Sequence, residues 1–193
     1  MKGRPNIYQN KELILKAQEV FWRKGFSATS LSDLSKITGA GAGSLYNTFK
    51  GGKKELFKKA LQQRKDDFND FKIKLENSEN PIELIKDFFL GVTVASKNAH
   101  LKGCIIANTL VEMTFVDVEL ENEAIEILKD IEDLYTSVIL AEQKKGNIKS
   151  KLPADSLGKL LISIWLGINS LRRIYPDEII LRKQIELQLQ IIS

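Results

Sequence analysis

Residues 31–57, LSDLSKITGAGAGSLYNTFKGGKKELF, decide how this chain is read. An apolar-periodic segment runs into a glycine cluster, then into a short aromatic segment, a second glycine break and a run of lysines. Two short helices (31–37 and 43–49) joined by a tight glycine-containing turn (38–42) have the dimensions of a helix-turn-helix. An ordinary helical corner is the alternative. Ser30 can cap the first helix, with Asp33 three residues on in a capping-box-like position. Leu31, Leu34 and Ile37 are expected to form that helix's buried face. Leu45 and Phe49, four apart, would pin the second helix to a core and leave Ser44, Tyr46, Asn47, Thr48 and Lys50 pointing outward. The small residues Gly41, Ala42, Gly43 and Ser44 would let the backbone come close to a duplex, and a helix N-terminus favours a phosphate. Hydroxyl and amide side chains donate to phosphates and base edges, while lysines displace counterions.

The charge pattern fits a polyanion partner. Residues 1–65 carry 14 Lys+Arg and 4 Asp+Glu, a balance of +10. The remainder carries 15 and 21, a balance of −6, which recovers the net +4. A basic head on a mildly acidic body suggests two tasks, although a solubilising surface alone would give a similar imbalance.

Of the 193 residues, 43% are hydrophobic, enough for one or two cored domains. No run reaches about 18 consecutive apolar residues, so no membrane span is expected. Residues 1–10 are polar with no apolar h-region, so no secretory signal is expected. A single cysteine, Cys104, leaves no internal disulfide and favours a reducing, cytoplasmic setting. With only one histidine, His100, a Cys/His zinc site is not expected, nor any other metal or cofactor.

Apolar spacing and breakers predict an all-α chain of about nine helices: 10–24 (Leu13, Ala17, Val20 and Phe21, ended by Gly25), the two short helices, then roughly 53–77, a helix from Asn80-Pro81, 103–115, 119–145, 154–175 and a last helix from Pro176-Asp177. No strand alternation or internal repeat competes.

The series Ile14, Leu15, Ala17, Val20, Phe21, Gly25, Phe26, Thr29, Ser30, Leu31, Asp33, Leu34, Thr38, Gly39, Gly43, Ser44, Leu45, Tyr46, Asn47, Phe49, Gly52, Lys53, Glu55 and Leu56 resembles the DNA-binding head of TetR-type transcriptional regulators over about residues 10–60. The resemblance implies an all-helical homodimer. Each subunit would have a three-helix head (1–52) and a ligand-binding and dimerisation body (53–193). It implies a repressor released from operator DNA by a small-molecule effector. It places Thr29 and Ser30 at phosphate or at the second helix's cap, Gly43, Ser44, Tyr46 and Asn47 on the recognition helix, and Lys53 on phosphate. Gly41 stands where the family often has Ser or Thr, and Thr48 where it often has His or an aromatic. The 50–53 linker is one residue longer than the common form and looks like a glycine-glycine-lysine subgroup.

In the body, 100–115 is similar to a Gly-Cys…Asn…Glu stretch of many relatives. If helical throughout, Cys104, Asn108 and Glu112 share one face. A polar stripe on an apolar helix suggests a cavity contact or a hydrogen-bond network satisfying neighbouring backbone. Cys104 reads either as a small buried hydrophobe or as a reactive thiol. Phe88, Phe89, Phe115, Tyr135 and Trp165 could wall a pocket or belong to the core. Trp22 is expected within the head, and His100 at a surface or helix end. Leu157, Leu160, Leu161, Ile164, Ile168 and Leu171, with Gly158 and Gly167, form an apolar face which, with the last helix, suggests a four-helix dimer interface; an intrachain core is the alternative. Two other readings remain open. One is a small helical enzyme using Glu112 as base, although no G-x-S-x-G, phosphate loop or H-E-x-x-H is present. The other is a DNA-binding protein that senses no ligand.

Overall fold

The computed structural model describes residues 7–193, with side chains from residue 11 onward; the start of the expected head and most of the polar 1–10 stretch lie outside the described residues. The order is α1 (Ile7–Lys24), α2 (Leu31–Thr38), α3 (Ala42–Thr48), α4 (Gly52–Glu76), α5 (Pro81–Leu90), α6 (Lys97–Lys102), α7 (Ile105–Met113), α8 (Val118–Lys145), α9 (Ala154–Ile174) and α10 (Glu178–Leu189), closed by a 3-10 turn at Gln190–Ile192. No strand occurs among the described residues. None of these helices is long and apolar enough to cross a membrane.

The chain forms two compact units. One comprises Met1–Asp67 with Ile105–Ala124, the other Phe68–Cys104 with Ile125–Ser193. The 52/53 division of the sequence therefore falls inside the first unit, at the start of α4. The first unit recruits α7 and the beginning of α8 from the part of the chain assigned to the body.

In the first unit, Ala17 and Phe21 of α1, Leu34 of α2, Leu45 of α3 and Leu56 and Phe57 of α4 are buried together. Phe21 meets Phe57 edge-on at 4.8 Å, and Phe26 meets Phe57 at 5.1 Å. Gln18 is buried and donates from Nε2 to the Ala60 carbonyl at 2.7 Å, tying α1 to α4. Burying that amide without a partner would be costly, so the bond also fixes register. Trp22 is half-buried under the Arg64 guanidinium, 5.1 Å from its ring. Ile37 departs from expectation: it is 43% exposed, because α2 is only two turns long and Leu34 alone is buried along it.

In the second unit, Ile85, Phe89, Tyr135, Ile139, Leu161 and Ile185 centre a core drawn from α5, α8, α9 and α10. Gly158 serves this core. A β-carbon there would fall on Thr136 Oγ1 and lie 3.2 Å from the Glu132 carbonyl, so the close approach it permits is of α9 to α8 of the same chain. Leu157, Leu161, Ile164 and Ile168 are likewise buried within the chain, which overturns their assignment to an intersubunit face.

The expected 103–115 helix is α7, which begins at Ile105, and a short helix that was not expected, α6, precedes it. Gly103 adopts φ +66 and separates α6 from α7. Backbone there passes so close to α9 that a β-carbon would stand 3.1 Å from the Asn169 carbonyl. Ser96 caps α6 by accepting from the Ala99 amide at 3.3 Å. Cys104 thus lies in the break, and only Asn108 and Glu112 of the expected stripe sit on α7.

Candidate nucleic-acid interface

α3 is short and held from one side. Leu45 and Phe49 are buried, while Ala42, Gly43, Ser44, Tyr46, Asn47 and Thr48 are exposed, as is Lys50 just beyond the helix. Its N-cap is Gly41, which supplies no side-chain bond, so the first amides of the helix are left uncapped by any side chain. A β-carbon at Gly41 or Gly43 would meet nothing within 4 Å, so the approach to this helix start is open. Thr48 donates back to the Ser44 carbonyl at 3.0 Å, which leaves its hydroxyl oxygen available as an acceptor. Tyr46 is 49% exposed and lies against Gly52, where a β-carbon would stand 3.1 Å from its ring. Gly52 has φ +63, so this position favours glycine on both counts.

α2 is fixed in front of α3 by a complete capping box. Ser30 Oγ accepts from the Asp33 amide at 3.1 Å, and the Asp33 carboxylate accepts from the Ser30 amide at 2.9 Å. Lys24 donates to the same carboxylate at 2.7 Å. The Lys24 hydrogen bond and the Ser30 contacts hold the Asp33 carboxyl well below the usual carboxylate range.

Two residues that the resemblance placed on phosphate are occupied otherwise. Thr29 is 1% exposed and donates its hydroxyl to the Gly25 carbonyl at 2.6 Å. Lys53 reaches inward, with Nζ donating to the carbonyls of Phe26 at 3.0 Å and Thr29 at 3.1 Å and lying 4.3 Å from the centre of the Phe26 ring. Its charge closes the α1–α2 loop. Lys54 pairs with Asp117 at 2.8 Å and Glu119 at 2.7 Å, and Lys58 with Glu119 at 2.6 Å, so part of the head's positive charge is neutralised by the start of α8. Lys36 and Lys50 remain exposed on the helix-turn-helix itself.

Glu112 belongs to this unit as a strut. Its two carboxylate oxygens accept from the Phe26 amide at 2.9 Å and the Ser27 amide at 2.7 Å. Gly25 has φ +81, and a β-carbon on it would stand 2.6 Å from Glu112 Oε2. With both oxygens committed to backbone amides, Glu112 is not placed as a general base, which removes the feature on which the enzyme reading rested. Neither a cavity wall nor a free polar contact describes it. Phe115 is fully exposed in a left-handed conformation past the end of α7 and walls nothing.

The other residues considered for ligand contact separate by unit. Asn108 is on α7 in the first. Phe88, Phe89, Tyr135, Trp165 and Cys104 are in the second. There Phe88 stacks on Trp165 at 4.9 Å and on Phe71 at 4.8 Å, Phe89 meets Trp165 edge-on at 5.4 Å, and Tyr135 lies 6.1 Å from Phe89. Phe89 and Tyr135 are fully buried, and burial pushes the Tyr135 phenol far above its usual range. Phe88, Trp165 and Cys104 are half-buried. His100 lies in the last turn of α6, one of the two places expected for it, but is buried there rather than at the surface.

Sequence reasoning missed Gln18, the Lys54/Lys58–Asp117/Glu119 network and a buried arginine, Arg172. Arg172 had a signal: it continues the Trp165–Asn169 face of α9 at helical spacing.

Comparison with known proteins agrees with this geometry. Residues 13–60 match the family model described as bacterial regulatory proteins, tetR family, and residues 82–186 match the tetracyclin repressor-like C-terminal domain. An uncharacterised HTH-type transcriptional regulator of Bacillus subtilis, YezE, is 26% identical over 99% of this chain and 100% of its own. The HTH-type transcriptional repressor DhaR of a Mycobacterium species is 25% identical over 81% of this chain and 78% of its own. A cysteine-substituted TetR-family regulator, CifR, solved with a 26-base-pair operator duplex, shares the fold with a TM-score of 0.80 at 18% identity, covering 99% of this chain and 100% of that one. The chain belongs to the tetR family of bacterial regulatory proteins and is a helix-turn-helix transcriptional regulator.

Proposed function

We propose that the chain acts as a homodimeric repressor that lays α3 in the major groove of a near-palindromic operator and is released by a small-molecule effector. The observation that carries this reading is the two-sidedness of α3: Leu45 and Phe49 face the core, and Ser44, Tyr46, Asn47 and Thr48 face outward. Tyr46 and Lys50 would hold phosphates, Ser44 and Asn47 would reach base edges, the Thr48 oxygen would accept from a base amino group, and Gly43 would admit the backbone. Ser30 and Thr29 position α2, and Lys53 supports the loop that orients it. In the relatives, repression is the named role of DhaR, and an operator duplex is bound by CifR. A regulator of operator DNA works where the bacterial chromosome is, in the cytoplasm.

Two copies are needed to read a palindrome, with recognition helices about 34–36 Å apart in the bound form. Exposed residues of α9 supply a second observation. Leu160, Ser163, Gly167, Ser170 and Ile174 recur at three and four residues, and a β-carbon at Gly167 would meet nothing within 4 Å. Ile180 and Leu187 on α10 are also exposed. Small residues flanked by exposed aliphatics suit a close helix–helix seam with a second copy.

Release requires that the effector bind the DNA-incompetent form more tightly; a hundredfold loss of operator affinity needs about 2.7 kcal/mol of coupling. Glu112 gives α7 a direct hold on the α1–α2 loop through which such a bias could act. The experiment is selection of duplexes from a randomised pool by the full chain, followed by binding measurements. Enrichment of a two-fold-related sequence supports the reading, and no enrichment overturns it.

A further inference from the structure

The second unit holds a buried arginine whose charge no carboxylate neutralises among the described residues. Arg172 on α9 is 6% exposed. Its Nη2 donates to the carbonyls of Ala99 at 2.9 Å and Gly103 at 2.7 Å, at the C-terminal end of α6. Its Nε is buried without a partner. The charged or titratable neighbours that interact with it are Cys104, Arg173 and His100, with no Asp or Glu paired to it among the described residues. Carbonyl dipoles satisfy N–H groups but leave a full charge in a site of low dielectric.

Two more unpartnered atoms lie on the same α6–α9 face. Asn169, one turn before Arg172, is buried; its Nδ2 donates to the Trp165 carbonyl at 2.8 Å and its Oδ1 has no partner. His100 follows Ala99 on α6 and is buried, with Nδ1 unpartnered. Since Nδ1 is free, the ring's hydrogen bond to the Ala95 backbone runs through Nε2. Burial and the charge of Arg172 disfavour the imidazolium, so Nδ1 presents a lone pair. The face therefore leaves one N–H donor, two acceptors and one positive charge, all buried.

We propose that this face of α6 and α9 is the effector subsite, and that it takes the carboxylate of a hydroxylated organic acid: Arg172 Nε–H and the guanidinium charge hold the carboxylate, and Asn169 Oδ1 or His100 Nδ1 accepts from the hydroxyl. The inference rests on the reading of the chain as ligand-responsive. A water molecule would satisfy the three atoms but not the charge. A metal cation is repelled by Arg172. A phosphate dianion asks for more than one free N–H and one charge. Trp165 lies one turn further along the same face of α9, half-buried and stacked on Phe88, so an aromatic body on the acid has a surface to rest against.

The test is calorimetric titration of the full chain, without DNA, with mandelate and 4-hydroxybenzoate and with the neutral amide of each. Each acid is expected to bind at least about tenfold more tightly than its amide, the difference of one charge-assisted hydrogen bond. Arg172→Met is expected to abolish that preference. Because Arg172→Met also removes both hydrogen bonds to the α6 carbonyls, Asn169→Asp is the second variant: it places a carboxylate of the chain's own beside Arg172, and it is expected to abolish acid binding while raising the melting temperature of the unliganded protein. Equal binding of acid and amide, or an undiminished acid preference in folded Asn169→Asp, overturns the subsite and leaves Arg172 as a cap for α6. Operator binding is measured in parallel. If acids bind and operator affinity is unchanged, the subsite stands and the release reading fails. If other compounds release DNA while no acid binds, the release reading stands and the subsite fails.

Discussion

The carboxylate of Glu112 fills the space where a side chain on Gly25 would begin: a β-carbon on Gly25 would stand 2.6 Å from Glu112 Oε2. The pair joins α7 to the C-terminal end of α1, where Gly25 takes φ +81 and the following two amides both donate to Glu112. Glu112→Gln keeps one acceptor and sets an NH2 against the other amide, so a loss of about 1–3 kcal/mol is expected. Gly25→Ala adds backbone strain of about 1–2 kcal/mol to the displacement of the carboxylate. Urea denaturation checks both, and the double variant should cost less than the sum because the two share one contact.

The α8–α9 contact gives a second expectation. Gly158→Ala drives a methyl onto Thr136, and overpacking of this kind costs about 1–3 kcal/mol. Thr136→Ala in the same chain should recover a large part of it. Thermal melts of the single and double variants decide.

Stability of the second unit should depend on pH through His100. Burial first, then the Arg172 charge, lower its pKa below the ordinary 6.5. The unfolded chain therefore takes up the proton first, so the stabilisation is fully present above about pH 6.5 and is lost as pH falls through the folded value. Denaturation at pH 7.5 and pH 5.5 is expected to show a drop in the parent protein and a smaller one in His100→Gln. An equal drop in both would place the dependence elsewhere.

The exposed seam on α9 and α10 makes a distinction between neighbouring residues. Leu187 is 61% exposed, so Leu187→Glu is expected to yield monomers with native helicity. Ile164 is buried in the chain's own core, so Ile164→Glu is expected to lose helicity as well. Sedimentation with circular dichroism separates the two outcomes.

Much of this was legible in the sequence because local signals agreed. Leu45 and Phe49 at four-residue spacing were enough to orient α3, Ser30 and Asp33 spelled out a capping box, and Gly25 and Pro81 marked helix ends. What escaped were partners distant in sequence. Glu112 stood open between a cavity contact and a group satisfying backbone, and the structure takes the second; nothing local shows that its acceptors answer two amides 85 and 86 residues away. Lys53 looked like a phosphate ligand because a lysine beside a helix-turn-helix reads the same whether it turns out or in. Gly103 was legible as a helix boundary, but α6 before it was not, because its six residues, KNAHLK, carry no apolar periodicity; the reason for the glycine, the nearness of the Asn169 carbonyl, is equally non-local.

The division of labour between Lys50 and Lys53 is the most direct test of how the head binds DNA. Affinity for the selected duplex is measured by fluorescence anisotropy across a salt series, for the parent chain, Lys50→Ala, Lys53→Met and Asn47→Ala. Lys50→Ala is expected to reduce the slope of log affinity against log salt by about one per half-site, Asn47→Ala to weaken the selected duplex by about tenfold with the slope retained, and Lys53→Met to lower the melting temperature with the slope retained. An unchanged affinity and slope in both Lys50→Ala and Asn47→Ala would contradict the placement of α3 and its flank on DNA.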